Sequence, residues 1–249
     1  MLLRRVLLHF RKQDWIAIGL DFIIVVVGLF VGLQVDGWNE DRKERVRERT
    51  NLEQLYVDFG EANKLLQQIA EFHARKVPEL DFAIDAIVKQ ELADDERQRF
   101  MFAILSMYQL PPHGATMGAY DAMLASGDFG LLQDQKLKSM LVKLDADMDA
   151  EASLLDYFRQ FSMNNLEITR GIVSVARNSD KSDTTFALDF DLATSNSQVL
   201  SAVSDQHRTQ GIFNTGRQDL ADEFLEAQIY IGNLLGYDVT SIQNETAGN

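Results

Sequence analysis

Apolar positions along this chain follow two different rhythms. From Ile16 to Val35 they run almost unbroken, interrupted by Asp21 and Gln34. The run is about twenty residues, the length a helix needs to cross a hydrocarbon core of about 30 Å. Trp15 and Trp38 stand just outside its ends, where amphipathic rings suit a headgroup layer. Beyond it the rhythm changes. Leu52, Leu55, Phe59, Ala62, Leu66 and Ile69 recur at spacings of three and four, predicting a helix over 39–76 with one apolar seam. That seam fits either a coiled coil with a second copy or one helix of an intramolecular bundle. Its length barely meets the three to four heptads that identify a coiled coil, which favours the bundle. The stretch 39–49 is almost wholly charged, with opposite signs able to pair four residues apart, as in a solvated helical stalk.

Further helices are expected downstream. Pro78 should end or kink the first. A helix over 79–92 then carries Leu80, Ile84, Ile87 and Val88. Another over 95–109, capped by Asp94 or Asp95, carries Phe100, Met101, Ile104, Leu105 and Tyr108. Leu110-Pro-Pro-His-Gly114 is a break. Thr116 is the expected cap of a short helix that Ser126-Gly127 terminates. Asp134 opens a long helix expected to reach Arg177, with Leu137, Leu141, Leu144, Met148, Leu155, Phe158 and Phe161 as its core stripe. After the polar stretch 178–185, Phe186–Leu192 alternates like a short extended piece. Ser195 or Ser197 would cap one more helix, and a last helix spans Asn214 to Leu235. The expected fold is therefore all-α. Residues 1–14 form a basic tail, 15–38 a transmembrane helix, 39–51 a charged stalk and 52–249 a helical bundle.

Charge sharpens this division. Of 24 basic and 38 acidic residues, nine and seven lie in residues 1–50, so the rest carries 15 and 31, a net charge of −16. Nucleic-acid affinity comes mainly from Lys and Arg neutralising phosphates, so nucleic acid is not an expected partner. The absence of cysteine excludes disulfides, thiolate zinc sites, iron–sulfur clusters and cysteine nucleophiles. The apolar run exceeds a signal-peptide core, and Gln34-Val-Asp-Gly-Trp-Asn-Glu40 offers no small-residue cleavage site, so a retained anchor is expected. Lys and Arg nearly balance across it. Arg11 and Lys12 lie close to the run, whereas Arg42, Lys43, Arg45, Arg47 and Arg49 start farther away and alternate with acids. Long acidic domains also translocate readily, which places the tail in the cytoplasm and the large domain in a bacterial periplasm.

Within the apolar run, Asp21 calls for either a partner or access to headgroups, because an ionised carboxylate in hydrocarbon costs a few kcal/mol. Gly28 and Gly32 form a small-xxx-small pair that lets helices approach closely. Asp21 lies one heptad before Gly28, on nearly the same face. Together the three make a candidate intramembrane contact face, with Trp15 and Trp38 as interfacial anchors.

The sequence Asp21–Glu40 resembles the signature of a family of single-span bacterial membrane proteins of unknown function. In that family an acid opens the span, a glycine sits in its middle and a Gln-x-x-Asn-x-Trp-Asn-Glu-like sequence closes it. Tyr120–Leu132 is similar to the family's Ser-Gly turn between helices. Here Asp replaces Glu at position 21, and Asp36-Gly37 stand where Asn-like residues are expected. The resemblance covers the first fifty residues well and the remainder loosely. It implies architecture, not activity.

Candidate chemistry is sparse. Asp145–Asp156 places acids at positions 1, 3, 5 and 12 of a calcium loop, but position 6 is Ala150 rather than glycine and the same residues continue a helical stripe. His9, His73, His113 and His207 show neither H-E-x-x-H nor Glu-x-x-His spacing. No nucleophile elbow or phosphate loop is visible. The expectation is a non-enzymatic protein without metal or cofactor. It would contact the lipid bilayer and a protein partner or second copy, as a scaffold or accessory subunit. The rival is a periplasmic bundle that binds a ligand and senses it. A hydrolase would need carboxylates, or a histidine and an acid, converging in a cleft.

Overall fold

A computed structural model describes residues 15–112, 114–177, 184–240 and 242; for 15–18, 21, 175–177 and 184 it describes the backbone alone. The chain divides into two compact units, Met1–Thr50 and Asn51–Asn249. Helix α1, Trp15–Lys89, contributes to both. In the first unit its apolar side chains are exposed on every face: Phe22, Ile23, Ile24 and Val25 are consecutive and each is more than half exposed. Among the described residues, α1 is the helix long and apolar enough to cross a membrane, by length and composition.

The second unit is a helical bundle. After α1 come a 3-10 turn Asp94–Glu96, α2 Arg97–Ser106, α3 Gly118–Ser126, a second 3-10 turn Asp128–Leu131 and α4 Gln135–Thr169. A hairpin follows, with strands β1 Val173–Arg177 and β2 Thr184–Leu188, then α5 Phe190–Ser195 and α6 Ser197–Leu235. Among the described residues the fold is all-α apart from that two-stranded antiparallel pair, in which Val173 pairs with Leu188 and Arg177 with Thr184.

Several boundaries differ from the sequence expectation, each for a physical reason. Pro78 does not end α1. A proline inside a helix costs about 3 kcal/mol. Leu80, Ala83, Ala86 and Ile87 on its far side are all buried, and that packing keeps the chain helical past the lost hydrogen bond. The helix stops instead at Lys89, where Gln90 takes a left-handed φ of 55°. Gln90 N–H donates to Ile87 O (3.3 Å) and Glu91 N–H to Ala86 O (3.2 Å), the two bonds of a Schellman motif. Thr116 does not cap α3. The cap comes from across the bundle, where Asp58 Oδ2 on α1 accepts from Ala119 N–H at 2.8 Å. Gly127 does end α3, in the left-handed conformation.

Asp134 opens α4 as expected, accepting from Leu137 N–H at 2.8 Å, while its second oxygen accepts from Tyr230 Oη at 2.9 Å. The helix ends at Thr169 rather than Arg177. Gly171 takes a left-handed φ of 98°, and the β-branched residues that follow enter β1. The extended piece is Thr184–Leu188, and Phe190 already begins a helix capped by Asp189. The two helices expected after Ser195 are one continuous α6, capped by Asn196 rather than by a serine.

The α1 seam packs inside the chain: Leu55, Phe59 and Leu66 are fully buried against α3, α4 and α6. That larger core occupies one part of the bundle, with Leu137, Leu141, Leu220 and Phe224 among its members. A second core joins Leu80–Ile87 of α1 to Phe100, Ile104 and Met107 of α2, with Ile172, Val199 and Val203. A small cluster of Leu155, Phe158 and Phe213 stands apart from both.

Candidate functional site

The stretches of α1, α4 and α6 between the two large cores carry buried polar side chains. Helix α6 explains how they arise. Its buried positions Val199, Val203, Gln206, Gln210, Phe213, Arg217, Leu220 and Phe224 alternate at four and three residues, one uninterrupted core stripe. Three of these positions are polar. The helix period therefore drives Gln206, Gln210 and Arg217 inward as firmly as it drives the leucines.

Each then needs a partner, because an unpaired buried polar group costs about 1–3 kcal/mol. Gln210 Nε2 donates to Met107 O at 2.8 Å, which turns its Oε1 toward His73 Nδ1 at 2.6 Å. His73 therefore donates from Nδ1. It is buried and stacked on Phe213, ring centroids 5.4 Å apart. Burial pushes the imidazole below its usual 6.5; the hydrogen bond to Gln210 opposes this, and the charges of Arg217 and Lys76 add to it. Gln206 Nε2 donates to Ser162 Oγ at 3.1 Å, and Tyr108 Oη meets Thr169 Oγ1 at 2.9 Å.

Arg217 is the exception. It is fully buried, its guanidinium lies 5.7 Å from the Phe213 ring centroid, and its nearest acid is Glu151 Oε2 at 3.6 Å from Nη1. That separation is an ion pair but too long for a hydrogen bond. The Nε, Nη1 and Nη2 atoms of Arg217, Glu151 Oε2 and Asn214 Oδ1 are all buried without a hydrogen-bond partner among the described residues. Burial pushes the Glu151 carboxyl up against the pull of Arg217, and pushes the guanidinium down against the pull of Glu151. On both partners desolvation outweighs attraction, the usual balance of a buried ion pair. Gly216 faces the same carboxylate: a Cβ there would stand 2.6 Å from Glu151 Oε1, so the carboxylate would have to shift.

Beside this belt, a groove of about 940 Å³ runs between α1 and α6, lined by Asn63, Lys64, Gln67, Glu71, Gln218 and Asp222 among others. Asn63 is anchored there by donating to Ala221 O at 2.7 Å.

The residues singled out from sequence stand elsewhere. Gly28 and Gly32 lie on α1 in the first unit, where a Cβ built on either would meet nothing within 4 Å beyond its own helix backbone among the described residues, and Trp38 is exposed. Asp21 and Trp15 lie on the helix backbone, their side chains outside the described residues, as are His9 and His113. His207 Nε2 lies 2.9 Å from Asp81 Oδ1. Asp145–Asp156 is helical throughout, and no cluster of metal-ligating side chains occurs among the described residues. The sequence singles out His73 only as a histidine without metal-ligand spacing, and it assigns Gln210, Glu151 and Arg217 no role. The signal that marks the α6 pair was available: polar residues standing at the inward positions of a four-three stripe. Comparison with family models, with curated proteins and with solved structures finds no match to this chain.

Proposed function

We propose that this protein is anchored in a bacterial inner membrane by residues 15–38 and acts through protein–protein contacts, as a scaffold or accessory subunit of an envelope complex. The observation that carries the reading is the exposure of apolar side chains on every face of α1 between Phe22 and Val35. A helix apolar all round belongs in a protein core or in lipid, and among the described residues none of the core clusters includes this stretch. The proposed topology is single-pass, with the tail in the cytoplasm and the acidic bundle in the periplasm. A periplasm-only reporter fused after residue 249 should be active; inactivity would overturn the orientation.

The proposed contact face is Asp21, Gly28 and Gly32, whose glycines leave α1 open to the close approach of a second helix. The resemblance of Asp21–Glu40 to single-span bacterial proteins supports the same architecture. In mild detergent the full-length protein should migrate as an assembly, and Asp21→Leu should dissociate it. A lone monomer with no co-purifying protein would end the proposal. A second reading, a ligand-sensing bundle, is favoured by the groove between α1 and α6, whose volume lies within the range of small-molecule sites. Stabilisation of the purified protein by a polar metabolite from a defined panel, lost on Gln67→Ala, would establish it.

A further inference from the structure

A smaller cleft of about 490 Å³ lies between α1 and α2 on the bundle, and its chemistry runs against that of the domain around it. Its apolar surfaces are Phe72, Ala103 and Phe102, the last more than half exposed. Its charged rim carries three cations, Arg75, Lys76 and Arg99, against one acid, Glu79. The three cations are not equally engaged. Arg99 is held by Glu79 through two bonds of 2.7 and 3.1 Å and lies over the Phe82 ring, 4.2 Å from its centroid. Arg75 makes an exposed 3.7 Å pair with Glu71. Lys76 meets no carboxylate among the described residues. Its ammonium donates to two neutral oxygens, Ser106 O at 3.3 Å and Gln109 Oε1 at 3.1 Å, and sits 4.9 Å from the Phe72 ring centroid.

A half-buried ammonium held over an aromatic ring by two neutral acceptors has no acid beside it among the described residues and keeps one direction of donation for an incoming anion. Beyond residue 50 the chain has 31 acidic residues against 15 basic, so this is a local reversal of sign on an acidic domain. We infer that the α1–α2 cleft is a docking surface for a segment of a partner protein that presents a carboxylate next to an aromatic side chain. The carboxylate meets Lys76 and Arg75, and the ring lies on Phe102 against Phe72. This rests on the reading of the protein as a contact-mediated subunit and names the chemistry of its partner. Complementary charge supplies the orientation and the rejection of basic segments, and the exposed phenyl ring supplies the apolar contact.

The test uses the full-length protein in mild detergent and a fluorescent peptide of alternating Glu and Phe, read by anisotropy. The peptide should bind at least tenfold more tightly than its counterpart with Lys in place of Glu. Lys76→Gln and Phe102→Ser should each weaken binding about tenfold, Lys76→Arg should restore most of it, and Arg75→Gln, on an exposed side chain already paired with Glu71, should weaken it about threefold. Arg75→Gln and Phe102→Ser replace exposed groups, so their melting temperatures should stay with the parent and binding losses report contact. Equal binding of the two peptides, or no loss in Lys76→Gln and Phe102→Ser, overturns the inference. An assembly that still co-purifies with Lys76→Gln while peptide binding is insensitive to it would leave the contact-mediated reading standing and remove this cleft from it.

Discussion

Two stretches of one helix, residues 22–35 and 52–69, are both rich in Leu, Val, Ile and Phe, yet they meet opposite surroundings. In the first, Phe30 is 65% exposed and Phe22 is 69% exposed; in the second, Phe59 and Leu66 are 0% exposed. The difference lies in arrangement. Residues 52–69 concentrate their apolar groups on one seam, which the bundle covers, and leave Gln54, Lys64 and Gln67 to water. Residues 22–35 are apolar on all faces, so no single neighbouring helix could cover them. Amphipathicity commits a helix to its own chain, and its absence commits a helix to another medium.

Paired substitutions sharpen the contrast most. Phe59→Ala empties a site at the centre of the larger core and should lower bundle stability by about 3–5 kcal/mol. Phe30→Ala, chemically the same change, should leave bundle unfolding in urea unaltered. Equal losses would mean that residues 22–35 are packed by the bundle after all.

The belt of buried polar groups tests how far the seam rule extends. Glu151→Ala leaves Arg217 buried without its acid and should cost about 3 kcal/mol. Replacing both, as Glu151→Leu with Arg217→Met, should recover that loss or exceed the parent, because neither desolvation penalty remains. If the double variant stays as unstable as the single one, the pair contributes more than its electrostatics.

Acid should act through His73. Its folded pKa lies below the unfolded value of 6.5, so the stability of the neutral buried ring is complete above pH 6.5 and declines as pH falls toward the folded value. The decline is at most about 1.4 kcal/mol per pH unit for one proton. Glu151 works in the other direction, since its carboxyl is pushed up. Comparing the parent with His73→Gln between pH 7 and 5 isolates the histidine, and the variant should show the shallower decline. Parallel curves would exclude His73 as the source.

The smallest expected effect is at the end of α1. Gln90 occupies a left-handed conformation that glycine adopts freely. Gln90→Gly should therefore raise bundle stability by about 0.5–1 kcal/mol in urea titrations, and a loss would show that the Gln90 side chain contributes more than its backbone costs.

Local chemistry was enough to identify much of this protein. The unbroken apolar run, the seam of Leu52 through Ile69, the Asp134 cap and the Gly127 terminus are all written in neighbouring residues, because each depends on helix period or on a side chain reaching its own backbone. What the sequence could not decide depended on distant partners. Pro78 stays helical because Leu80 and Ala83 find a core, and α3 is capped by Asp58 from a different helix. Val173–Arg177 leaves the helical state because Thr184–Leu188 offers a ladder. Gln206, Gln210 and Arg217 were legible as positions on an inward stripe, but their partners Ser162, His73 and Glu151 lie on other helices at separations no spacing rule encodes. Periodicity determines which side chains turn inward; only the packed bundle decides what they meet there.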